Sequence, residues 1–76
     1  MSQFSSLDGE LFLVRRLGQH GHRVFTGDTA PNERRARMRR AILEAGLDCT
    51  IVGKNRSGKP ETFAALFERL YSEPLA

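Results

Sequence analysis

Tryptophan is absent from this 76-residue sequence, cysteine occurs once (Cys49), and proline only three times. A single thiol cannot staple the fold from within. A domain of this size buries only about 60% of the surface its unfolded chain exposes, so it must rely on packing alone. One cysteine with no leader-like opening stretch suits a reducing compartment, and the cytoplasm is the expected location. No apolar run approaches the roughly 20 residues a membrane span requires, so no membrane-spanning role is expected. Acid is not in excess either: twelve Lys and Arg stand against nine Asp and Glu, for a formal net charge of +3. That balance argues against imitation of DNA, which needs dense negative charge, and directs attention to nucleic acid or acidic protein surfaces as partners.

What is present reads as one small domain over residues 7–76 behind a short polar tail, residues 1–6. Glycine, proline, Asp and Asn punctuate the chain at 18–21, 27–32, 46–48 and 53–60, as turns require. Between these breaks, Phe63, Leu66, Phe67 and Leu70 recur at i, i+3, i+4 and i+7, with Pro60 suited to a first helical turn and Pro74 beyond, which predicts a helix over 60–72. Met38, Ala41, Ile42 and Ala45 share a face over 31–45. There Asp28 or Thr29 can cap, Pro31 lies just inside the start, and Gly46 can close the end. His22–Thr26 and Asp48–Val52 are short, glycine-bounded and rich in β-branched or aromatic residues, so both predict strands, with a right-handed crossover through the middle helix. Glu10–Leu17 fits either a strand or a helix. The expected fold class is therefore α+β: one small sheet of two or three strands with two or three helices packed on it, ordered β-β-α-β-α or α-β-α-β-α.

Five arginines, Arg34, Arg35, Arg37, Arg39 and Arg40, crowd seven consecutive positions of the middle helix. Glu33 and Glu44 offer i,i+4 partners to Arg37 and Arg40. Arg34, Arg35 and Arg39 have none, and the first two stand where the helix dipole already presents positive charge. Two readings follow. The guanidiniums bind a phosphate or carboxylate of another molecule, or they lie over Met38 and Ile42 and pair with acids elsewhere in the chain.

Gly53-Lys54-Asn55-Arg56-Ser57-Gly58-Lys59 matches the G-x-x-x-x-G-K part of a phosphate-binding loop, between an expected strand and an expected helix. Pro60 stands where Ser or Thr would hold magnesium, and the chain is too short for the other parts of a phosphoryl-transfer site. As a basic loop touching a nucleic-acid backbone, Lys54, Arg56 and Lys59 make better sense. His20 and His22 fall short of the three or four ligands zinc needs, so no metal is expected. Alternation places Cys49 with Ile51 on one strand face, so a buried thiol is expected. Asp8, Asp28, Asp48 and Glu73 stand near element ends, where capping accounts for them. No catalytic constellation emerges, and neither enzyme activity nor a cofactor is expected. The core needs most of the aromatics, leaving Tyr71 as the one candidate for an exposed stacking platform.

Two stretches carry a likeness: Pro31-Asn32-Glu33-Arg34-Arg35-Ala36-Arg37 leading through Glu44-Ala45-Gly46-Leu47-Asp48, and Gly58-Lys59-Pro60-Glu61-Thr62-Phe63 running to Leu70-Tyr71-Ser72-Glu73-Pro74-Leu75. Together they resemble small uncharacterised proteins of proteobacteria, their prophages and mobile elements, over roughly residues 22–76. In a phage setting the resemblance implies an inhibitor of host defence, such as an anti-CRISPR protein, acting in the cytoplasm of the bacterial host cell. The expected function is thus a non-enzymatic protein that binds and blocks a ribonucleoprotein or other nucleic-acid-processing complex. The expected contacts are Arg34, Arg35, Arg39, Lys54, Arg56 and Lys59, and the alternative is an accessory or regulatory protein that binds DNA or RNA directly. A homodimer would cover the open edges of a small sheet.

Overall fold

The computed structural model describes residues 6–27 and 29–76, so the tail over 1–5, with Phe4, and the proposed cap Asp28 lie outside the described residues. The elements run α1 (Ser6–Leu17), a 3₁₀ turn (Gly18–Gly21), α2 (Pro31–Ala45), β1 (Ile51–Lys54), β2 (Pro60–Thr62) and α3 (Phe63–Tyr71). The result is the expected α+β class, with three α-helices and one two-stranded sheet among the described residues. The strands are antiparallel, with Ile51 opposite Thr62, Gly53 opposite Glu61 and Lys54 opposite Pro60. Among the described residues no helix is long and apolar enough to cross a membrane.

The segment 10–17 resolves as helix. Leu13 and Leu17 are buried one turn apart, with Glu10 buried on the same side. Gly9 lets this helix approach α3 closely, since a Cβ there would lie 2.6 Å from Leu70 Cδ1. The expected strand over 22–26 is a series of turns instead. Its amides find carbonyls three residues back (His22 to Gln19, Val24 to Gly21, Thr26 to Arg23), so no partner strand is needed. The right-handed crossover is accordingly replaced by a hairpin. The core still claims Val24, buried beside Met38 and Ile42 of α2 and Leu13 of α1.

The expected cap of α2 is also corrected. Ala30 precedes the helix without a side-chain cap, while Thr29 donates its hydroxyl to Thr26 O at 2.6 Å. Gly46 does end α2 in the left-handed region, with Leu47 N bonded to Ile42 O at 3.1 Å. The strand expected over 48–52 begins at Ile51, so Cys49 falls in a turn and is exposed, not buried. The helix expected over 60–72 begins at Phe63. Pro60 opens β2, where a strand tolerates proline, and Thr62 caps α3 by accepting from Ala65 N at 3.1 Å. Phe63, Leu66 and Phe67 are buried as the helical stripe requires.

Candidate functional site

Four of the five clustered α2 arginines, Arg34, Arg35, Arg37 and Arg39, pair within this chain. Arg34 Nε donates to Glu10 Oε1 at 3.0 Å, and its Nη1 donates to Thr29 O at 2.9 Å. The other Glu10 oxygen accepts from Tyr71 OH at 2.6 Å, so a buried carboxylate has both oxygens satisfied. Burial first, then the Glu10 hydrogen bond and charge, raise the Tyr71 phenol above its ordinary range. Tyr71 is thus no exposed platform: it is half-buried, with its ring 4.7 Å from that of Phe67.

Glu73 holds two further arginines. Arg35 Nε lies 3.5 Å from Glu73 Oε1, and Arg39 Nη2 pairs with Glu73 Oε2. Arg39 also donates from Nε to Leu75 O at 2.8 Å and from Nη2 to Pro74 O at 3.2 Å, which straps the buried Leu75 against the core. The Arg39 hydrogen bond chiefly, helped by the charges of Arg35 and Arg39, holds the Glu73 carboxyl below its usual range. Arg37 pairs with Glu33 at 3.0 Å as its spacing predicts. Arg40 does not pair with Glu44: it is exposed, and among the described residues it has no ion-pair partner. Of the two readings of Arg34, Arg35 and Arg39, the geometry realises pairing with the chain's own acids and carbonyls, fully at Arg34 and Arg39 and through a single part-exposed contact at Arg35.

The hairpin is different. Its loop is braced by Asn55, whose Oδ1 accepts from Ser57 N at 2.9 Å and Lys59 N at 3.0 Å, while its own amide donates to Lys59 O at 2.9 Å. Gly58 takes φ +81°, which the loop needs and a side chain would resist. On this frame Lys54, Arg56 and Lys59 are exposed, and among the described residues their side chains have no hydrogen-bond or ion-pair partner. The glycine–lysine sequence therefore spans a β-turn between two strands. The next helix starts only at Phe63, so the loop does not present a helix N-terminus to a phosphate in the manner of a nucleotide-binding loop.

Lys54 also lines a cleft of about 320 Å³ with Arg16 of α1 and Arg69 of α3, over Phe12, Val52 and Leu66. Arg69 lies 3.1 Å from Glu61, and the Arg16 guanidinium sits 4.9 Å from the Phe12 ring centroid. Arg16 and Arg69 were not singled out by sequence, because three separate elements bring them to Lys54. The spacing of Phe12 and Arg16 becomes a signal only once 10–17 is read as helix. Among the described residues there is no group of three or more His, Cys, Asp or Glu placed to hold a metal ion. No family model, curated protein or solved structure matches the chain.

Proposed function

We propose that this protein is a small interaction module that docks on a nucleic-acid-handling complex by contacting phosphates with its basic hairpin. Lys54, Arg56 and Lys59 make the primary contacts, with Arg16 and Arg69 flanking. The observation that carries this reading is the contrast in charge use. The helix arginines at 34, 35, 37 and 39 pair within the chain, whereas the hairpin cations, on a braced loop, have no partner among the described residues. Exposed cations without partners are what counterion release from a phosphate backbone requires. Docking of this kind would obstruct a ribonucleoprotein at its own RNA. That suits the inhibitor role implied by the prophage-type resemblance, with the contact made by the hairpin and not by the arginine helix.

The test is anisotropy of labelled single-stranded RNA and duplex DNA against wild type and a K54E/R56E/K59E variant. Wild type is expected to bind at ~50 mM salt, to weaken steeply as salt rises, and to lose binding in the variant. No binding by wild type, or equal binding by the variant, removes the reading. Inhibition of a reconstituted guide-RNA complex by wild type but not by the variant separates docking on a complex from simple attachment to free nucleic acid.

A further inference from the structure

A second cationic feature shares no residue with the hairpin cleft. The turn after α1 and the C-terminal half of α2 enclose a groove of about 610 Å³, lined by His20, His22, Arg23, Arg37, Arg40 and Glu44. Arg37 builds it: its Nη1 donates to Arg23 O at 2.9 Å, Thr26 O at 3.1 Å and Thr29 Oγ1 at 3.1 Å, which fastens the turn to α2. The two walls are thereby held together before any ligand arrives, and binding need not order them.

Each wall then contributes one unspent guanidinium, Arg23 from the turn and Arg40 from α2. Both are exposed, and among the described residues neither side chain has an ion pair or hydrogen bond. His20 and His22, also exposed and unpartnered among the described residues, add ring N–H donors at the same edge. Glu44 is the lone acid of the lining and leaves Arg40 unpaired. The lining therefore offers two forked donors and an excess of positive charge. The complementary ligand is compact, multiply charged and rich in acceptor oxygens. The volume falls within the range of small-ligand sites. No Phe or Tyr lines the groove, a base would meet only the imidazoles of His20 and His22, and the two forked guanidiniums direct recognition to the phosphate.

We propose that this groove binds a terminal phosphomonoester, carried by a nucleotide or by the end of a nucleic-acid strand. The experiment follows backbone amide shifts of isotopically labelled protein on titration with inorganic phosphate, a nucleoside monophosphate, and one oligonucleotide with and without a 5′-phosphate. All three phosphate-bearing probes are expected to shift residues 20–23 and 40–44. Tighter binding of the phosphorylated strand than of the nucleoside monophosphate assigns the strand end, equal binding of the two assigns the nucleotide, and inorganic phosphate binding as tightly as both overturns the ester. R23A/R40A, which alters only exposed side chains, is expected to weaken inorganic phosphate about tenfold or more, whereas E44Q removes a like charge and tightens it. Unchanged phosphate affinity in R23A/R40A, or equal groove shifts from both oligonucleotides, overturns the proposal. The K54E/R56E/K59E variant is expected to keep phosphate binding here, so failure of the hairpin reading and failure of this one are distinguishable.

Discussion

Glu10 is the residue whose removal is expected to be felt most. Its carboxylate is almost fully buried and joins α1 to α2 through Arg34 and to α3 through Tyr71. E10A leaves a partly buried guanidinium and a phenol without their partner, and the expected loss is about 3 kcal/mol. A lower midpoint of urea denaturation at unchanged slope would register it. R35A, which breaks only a more exposed pair with Glu73, serves as the contrast. Tyr71 adds a pH dependence whose sign follows from its raised folded-state value. Stability from such an acid is complete below the ordinary phenol value of 10.0 and is lost as the pH climbs above it, because the unfolded chain releases the proton first. Wild type is expected to lose stability above that pH more steeply than Y71F, which has no phenolic proton to lose. Equal alkaline slopes for the two would contradict the assignment.

The hairpin shows where local sequence was informative and where it was not. Gly58 at φ +81° is required by the loop, so G58A is expected to cost about 1–2 kcal/mol, read as a fall in thermal midpoint. The helical stripes of α2 and α3 were legible because burial follows the 3.6-residue period in Met38 and Ile42 and in Phe63, Leu66 and Phe67. Pro60 suits a helix opener in sequence, yet α3 starts only after Thr62, which directly precedes the stripe and holds the capping hydroxyl. The segment 22–26 has strand composition, but composition cannot tell a strand from a turn that plugs the core with one side chain, Val24. For α1 the deciding terms are tertiary: Gly9 against Leu70, and Leu13 against the core. The clasp between α2 and residues 73–75 gives an acid-side counterpart. Stability from the lowered Glu73 carboxyl is present in full above its ordinary value of 4.5 and drains as the pH falls through the folded value. E73Q is expected to flatten that acid limb in a denaturation series.

Charge is where the whole chain decides what no window of sequence can. The count of arginines on α2 was legible, but their partners are not neighbours: Arg34 meets an acid 24 positions away, and Arg39 one 34 away. The same folding that pairs Arg34, Arg35, Arg37 and Arg39 leaves Lys54, Arg56 and Lys59 exposed, so the proposed backbone contact passes from the conspicuous arginine cluster to a plainer loop. Salt dependence can tell the two apart. Three hairpin contacts predict that log K for single-stranded RNA falls against log salt with a slope of roughly −2 to −3, since each neutralised phosphate releases a counterion. K54A is expected to reduce the magnitude of that slope by about one. R35A removes an equal charge from the molecule but only a surface pair with Glu73, and is expected to leave the slope as it was. If R35A and K54A lower it equally, the helix contacts the phosphates after all, and the internal pairs must open on binding.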